Sequence, residues 1–278
     1  AHDGVSLLSL GGRFAPKLAP DAIVIDATSR EGGHGELRIA VKTYVQQTRL
    51  RLPFRGPWVV LAGHRQGEPH ASLHLASQRF AYDLVQTRAG GETFRGDQRL
   101  PTSYLAYDQP VLAAADGIVV QINDSVPDNT PVGWRPSWHV FLQRPADLAG
   151  NFVVLRHRGN EHTAYFHLKK GLHLHVGQHV KAGDVLGLCG NSGNSVEPHL
   201  HFQLQRGPDP LHARGLPARF SNFTWRYGHL ARYIGDEEKK SSPLPERLVI
   251  APGRPQGVLS APTSRGLPAT PSRNAKKR

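Results

Sequence analysis

The sequence has a single cysteine, no methionine and no apolar run long enough to cross a bilayer. Cys189 cannot form an internal disulfide, and its apolar neighbours predict a buried structural residue, since nothing beside it would lower the pKa of its thiol. A chain without methionine cannot include its own translation start. We therefore expect a trimmed, mature chain from which any export signal has been removed.

Acidic residues are also scarce. Against 34 Lys and Arg there are 22 Asp and Glu, which gives a formal charge of +12. The last 29 residues carry six of the basic residues and no acid. The positive electrostatic potential of such a chain favours polyanionic partners, but the sequence contains no nucleic-acid-binding motif. We therefore expect no nucleic-acid partner, and residues 231–278 are predicted to be a basic tail rich in Pro, Ser and Arg.

Short strand patterns separated by turn signals dominate the rest of the chain, and helical periodicity is almost absent. Residues 22–27 and 37–45 predict two strands, the second half-buried, in an N-terminal β unit over residues 1–57. Residues 58–230 hold further strand candidates, among them Trp58–Leu61, Asn151–His157 and Thr163–Leu168. The fold class is therefore predicted to be mainly β, with one central domain over residues 58–230.

The segment from Gly190 to Leu204 carries the strongest chemical pattern. A loop rich in Gly, Asn and Ser precedes His199 and His201, which alternate with the apolar residues Leu200, Phe202 and Leu204. Two histidines at positions i and i+2 of a strand point to the same face and can converge on one metal ion. Asn191 and Asn194 of the loop either bind a substrate backbone or satisfy the turn itself.

Two further segments complete a candidate site. His74 precedes Asp83 by nine positions, and Asp83 lies in an apolar run where an unpaired carboxylate would be costly. His167 is predicted to share a strand face with Tyr165. Two imidazoles and one carboxylate are typical of a catalytic zinc site, so His74, Asp83 and one of His199 and His201 are the candidate ligands. The pair His173 and His175 repeats the spacing but lacks the loop, and we expect it outside the site.

These motifs together resemble the lysostaphin-type (LytM-type) zinc metallopeptidases, a family that contains peptidoglycan endopeptidases. The resemblance covers roughly residues 58–204 and includes the run from Val176 to Gly187. It implies an antiparallel β-sheet groove with the metal on its floor. It also implies one Zn²⁺ per chain, held by His74, Asp83 and His201, with His167 and His199 catalytic. Eight residues separate His74 from Asp83 where many members have three, so His70 and His64 are substitutes for His74.

The resemblance further implies hydrolysis of peptide bonds in peptidoglycan cross-links or stem peptides through a metal-activated water, outside the cytoplasm. Anionic cell-wall polymers are additional candidate partners for a basic chain. Two alternative functions remain open. One is a metal-free binding or activator module with the same fold, and the other is a metallopeptidase that cuts Gly-rich extracellular proteins.

Overall fold

A computed structural model describes residues 22–28, 32–40, 44–63, 75–221, 223–228 and 247–252. The chain separates into two compact units, residues 1–45 with 262–278 and residues 46–261. The predicted domain boundaries at residues 57 and 230 stay a prediction. The candidate ligands His64, His70 and His74 lie outside the described residues, as does most of the predicted basic tail.

In the first unit, the described residues form one antiparallel hairpin, in which Ala22 pairs with Ala40 and Thr28 with His34. Its strands are β1 (Ala22–Thr28) and β2 (His34–Ala40). All seven residues of β2 are exposed, so the prediction of a half-buried strand is wrong at this position. The apolar side chains of Ile23, Val24, Leu37 and Ile39 in this hairpin are exposed.

Twelve strands and a short helix make up the described secondary structure of the second unit, together with four 3₁₀ turns at Ala76–Gln78, Pro101–Ser103, Pro145–Ala149 and Arg158–Asn160. The strands are β3 (Trp58–Ala62), β4 (Tyr82–Val85), β5 (Pro110–Leu112), β6 (Gly117–Asn123), β7 (Asn151–Arg156), β8 (Glu161–Leu168), β9 (His179–Val180), β10 (Val185–Leu188), β11 (Leu200–Arg206), β12 (Arg214–Leu216), β13 (Phe223–Gly228) and β14 (Arg247–Pro252). The helix is α1 (Trp138–Gln143). The mainly β, antiparallel prediction is confirmed.

Most of these strands lie in one antiparallel sheet with the order β13, β14, β3, β4, β11, β8, β7, β6, β9, and β12 pairs with the far end of β11. A separate pair joins β5 to β10. The strand β11 is central: it pairs with β4 over Leu200–Phe202 and with β8 over His201–Arg206. This position brings residues of three strands onto one patch of the sheet.

The two faces of β11 differ in chemistry. Leu200, Phe202 and Leu204 are fully buried on one face. Phe202 contacts the rings of Tyr165 and Phe220 there, with centroids 5.4 and 5.2 Å away. Burying each such side chain stabilises the fold by roughly 1.5–3 kcal/mol. The apolar face thus fixes the register, and the register determines which polar groups meet on the opposite face.

Candidate metal and catalytic site

Asp83 and His201 are cross-strand partners in the β4–β11 register, and their side chains meet on the polar face of the sheet. His201 Nδ1 lies 3.0 Å from Asp83 Oδ1, and His199 Nε2 lies 3.5 Å from the same oxygen. Both histidines are almost fully buried. The structure therefore brings the HLH pair and Asp83 together, although Asp83 lies on β4 and the two histidines lie more than 110 positions later, His199 just before β11 and His201 within it.

His167 joins this group through an unusual backbone conformation. Its φ of 61° is in the left-handed region, which non-glycine residues rarely adopt. The cross-strand pair of His201 is Phe166, and their rings stack at 4.6 Å, so strict alternation would place His167 on the opposite face beside Tyr165. Instead the His167 ring lies 4.7 Å from the ring of His199. The predicted shared face with Tyr165 is wrong because the positive φ interrupts the alternation.

Backbone carbonyls hold the two histidines that are candidates for catalysis. His167 Nδ1 lies 2.8 Å from the Ser192 carbonyl, and His199 Nδ1 lies 2.8 Å from the Glu197 carbonyl. Because a carbonyl can only accept, each Nδ1 carries hydrogen and each Nε2 is left for the site. Both anchors belong to the loop that precedes β11, so this loop orients both rings.

The surroundings shift the pKa values of these two histidines in opposite directions. Burial lowers the pKa of His167 well below its ordinary value, and the nearby His199 and His201 lower it further. For His199, burial lowers the pKa, but the charge of Asp83 and its hydrogen bond outweigh this effect and raise the pKa overall. The site thus pairs a histidine that stays neutral with one that holds a proton more readily.

The loop over residues 190–198 is itself held by buried side chains. Asn129 Nδ2 donates to the carbonyls of Gly193 and Ser195, at 2.8 and 2.9 Å. Asn191 Nδ2 donates to the Asn129 carbonyl, and Ser195 Oγ donates to Asn191 Oδ1. The structure therefore assigns Asn191 to the loop, while the Asn194 side chain accepts from Arg135. Asn129 was not identified from the sequence, since a loop asparagine carries no periodic signal.

The donor atoms of Asp83 and His201 suit a divalent cation. His201 Nε2 lies 2.9 Å from Gln203 Oε1, an acceptor, so Nε2 carries a hydrogen and Nδ1 is the nitrogen directed at Asp83. Nδ1 lies 3.0 Å from Asp83 Oδ1, a separation that either a proton or a metal ion between the two atoms stabilises. Imidazole nitrogen and carboxylate oxygen are both zinc ligands.

Within the described ranges, no group of three or more His, Cys, Asp or Glu side chains is arranged to hold a metal ion. The third predicted ligand, His74, is in the segment 64–74, which is outside those ranges. His173 and His175 are exposed, as expected for residues outside the site. Cys189 is fully buried, and burial raises the pKa of its thiol, which agrees with the predicted structural role.

Comparison with known proteins adds an independent result. Peptidase family M23 matches residues 103–213, a segment that contains His167, His199 and His201 but begins after Asp83. Peptidoglycan DD-endopeptidase ShyA of Vibrio cholerae is 38% identical over 89 residues, which are 32% of this chain and 20% of the relative. Peptidoglycan DD-endopeptidase ShyB of the same organism is 36% identical over 143 residues, 48% of this chain and 32% of the relative.

The matched region thus spans a third or less of these two curated relatives. Among solved structures, the catalytic domain of lysostaphin from Staphylococcus simulans is 20% identical over 58% of this chain and 88% of that chain. Its TM-score of 0.32 is too low to support a conclusion. The segment 103–213 matches the model of Peptidase family M23, so the resemblance found in the sequence is confirmed.

Proposed function

We propose that this chain is a zinc-dependent endopeptidase that hydrolyses peptide bonds in peptidoglycan cross-links or stem peptides. The observation that carries the proposal is the convergence of His201 Nδ1 and His199 Nε2 on Asp83 Oδ1, beside the ring of His167. The peptidoglycan endopeptidases among the relatives support the substrate class. Zinc would be held by Asp83, His201 and His74, one ion per chain.

The chemistry that zinc supplies when bound is Lewis acidity, which polarises a peptide carbonyl and lowers the pKa of water. The residues of the chain handle the protons. His167, whose pKa is lowered, stays neutral near pH 7 and accepts the proton of the attacking water at Nε2. His199 Nε2 is directed into the site because the Glu197 carbonyl accepts from Nδ1, and when protonated it donates a hydrogen bond to the oxygen on which negative charge develops.

The charge of the chain supports a location outside the cytoplasm and contact with a cell wall. The excess of basic residues suits anionic wall polymers, which would raise the local concentration of the chain at its substrate. Among the described residues, no helix is both long and apolar enough to span a membrane. Because salt screens the attraction between a basic chain and an anionic polymer, salt should weaken wall binding more than it weakens cleavage of a small soluble peptide.

The test is digestion of purified peptidoglycan sacculi by the full chain, with and without a chelator, alongside a Gly-rich peptide. We expect release of soluble fragments that stops on chelation and returns on addition of zinc. Cleavage of the Gly-rich peptide alone would contradict the substrate class. Binding to sacculi without any cleavage in the presence of zinc would contradict the enzymatic function and favour the metal-free binding module.

A further inference from the structure

The polar face of β11 continues past His201 with two glutamines that the proposed reaction does not use. Gln203 and Gln205 are both fully buried. A buried amide is costly unless its donors and its acceptor are paired, so two in succession need a specific arrangement. Their side chains form a line that begins at the candidate ligand His201 and ends in the turn over residues 207–210.

The turn fixes the orientation of Gln205. Gln205 Nε2 donates to the carbonyls of Gly207 and Asp209, at 2.8 and 2.9 Å. Backbone carbonyls cannot donate, so the amide nitrogen must face them and Gln205 Oε1 must face Gln203. Asp209 Oδ1 stabilises this turn by accepting from the backbone N–H groups of Leu211 and His212.

The orientation of Gln205 in turn fixes the orientation of the Gln203 amide. Its Nε2 donates to the Pro210 carbonyl at 3.0 Å and to Gln205 Oε1. Reversing the amide would place Gln203 Oε1 against two acceptors. The oxygen is therefore directed at His201 Nε2, 2.9 Å away, where it can only accept a hydrogen.

We infer that Gln203, oriented by Gln205 and the carbonyls of the 207–210 turn, is a positioning residue that keeps His201 in its Nε2–H tautomer. This tautomer leaves Nδ1, the nitrogen that faces Asp83, with the lone pair that a metal requires. The inference rests on the proposed zinc function, and it adds that the affinity for zinc is set partly by two glutamines that never touch the ion. Partners of this kind commonly change metal affinity 10–100-fold.

The central variant is Gln203→Met, which keeps the length of the side chain and removes the amide. Zinc affinity is measured by competition with a chelator, and we expect it to fall about 10–100-fold. In zinc-free protein, nitrogen-15 NMR of the histidine rings reports the tautomer directly. Here we expect His201 Nε2 to carry hydrogen throughout the wild-type chain and to lack it in a fraction of the variant.

Three further variants make the test specific. Gln205→Met does not touch His201, so it should weaken zinc binding in the same direction but less, and it also answers the question if Gln203→Met does not fold. Gln203→Glu keeps an oxygen for His201 Nε2 and should retain the tautomer, but its second oxygen would face the Pro210 carbonyl and Gln205 Oε1 and should lower stability. Leu204→Ala, on the opposite face of the same strand, should lower stability without changing either readout.

Unchanged tautomer and zinc affinity in both methionine variants would overturn the inference, even if the wild-type chain binds zinc and cleaves peptidoglycan. A loss of affinity in Leu204→Ala equal to that in Gln203→Met would also overturn it, because destabilisation would then explain the effect. If the tautomer changes as expected but the wild-type chain cleaves no peptidoglycan, the proposed function fails and the control of His201 by Gln203 stands.

Discussion

His199 and His201 are separated by one residue, yet they present different ring nitrogens to the site. The Glu197 carbonyl takes the Nδ1 hydrogen of His199, whereas Gln203 takes the Nε2 hydrogen of His201. His201 therefore offers Nδ1 close to Asp83 and His199 offers Nε2 slightly farther away. This difference supports a ligand role for His201 and a proton-handling role for His199.

Alanine substitution should separate the two roles. We expect His199→Ala to keep its zinc and lose turnover about 10²–10⁴-fold, because a positioned acid or base contributes that much. We expect His201→Ala to lose zinc as well. The measurement is zinc content of the purified variants together with fragment release from peptidoglycan. Unchanged turnover in His199→Ala would contradict its role, and His173→Ala, at an exposed site, is the control.

The backbone conformation of His167 leads to a second prediction, which concerns the stability of the folded chain. Its left-handed φ of 61° strains any residue with a Cβ, typically by about 1–2 kcal/mol. Glycine does not pay this cost. Urea unfolding should therefore find His167→Gly more stable than His167→Ala by about 1 kcal/mol, the reverse of the order at an ordinary strand position. Equal or reversed stability would show that the backbone at this position is not strained.

The elements differ in how well the sequence predicts them. The core strands β7 and β8 lie within two residues of their predicted bounds, Asn151–His157 and Thr163–Leu168. The helix α1 was not predicted. It has six residues, and Phe141 is buried while Val140 and Leu142 are exposed, so the segment has no apolar stripe to reveal a helix.

The candidate site shows a similar division. Spacing and residue type indicated Asp83, His199 and His201, because a strand with period two places its histidines on one face. The same rule gave the wrong face for His167, since a single positive φ is not visible in the pattern. Gln203 and Gln205 do follow the alternation of the histidines, and this period-two run is the signal that could have included them in the site.

The loop before β11 carries a prediction of its own. Asn129 Nδ2 donates to the carbonyls of Gly193 and Ser195, so Asn129→Asp would place a buried carboxylate against two acceptors. We expect a loss of about 2 kcal/mol or more in the free energy of unfolding, measured with urea. Turnover should fall too, because this loop anchors His167 and His199. Asn160→Asp, at an exposed residue, should change neither, and a neutral Asn129→Asp would contradict this account of the loop.

For the whole molecule, two histidines outside the site, the buried His162 and the partly buried His157, predict how stability changes with pH. Burial lowers the pKa of His157 and of His162 below the ordinary value of 6.5. In the window below 6.5 the unfolded chain binds more protons than the folded chain, so the free energy of unfolding falls as pH falls. The stability that these two histidines contribute is fully present above pH 6.5, and it is lost as the pH falls from 6.5 through their lowered folded-state pKa values.

Urea midpoints measured between pH 8 and pH 5 should therefore decline from about pH 6.5, before carboxylate titration begins near pH 4. The double variant His157→Gln, His162→Gln removes both groups and should make this part of the profile less steep, while His167, whose pKa burial also lowers, still contributes. A midpoint that stays constant in the wild-type chain down to pH 5 would contradict the pKa directions. If the double variant shows the same decline as the wild-type chain, the decline is caused by other titrating groups.

The central claim is that Asp83 and His201 are two ligands of one zinc ion. The most direct measurement is anomalous diffraction at the zinc edge from crystals of the zinc-loaded chain. We predict one peak per chain at about 2.0–2.2 Å from Asp83 Oδ1 and His201 Nδ1, with His74 as a third ligand. A strong peak elsewhere, for example at His173 and His175, or no peak at the β4–β11 junction, would contradict the claim.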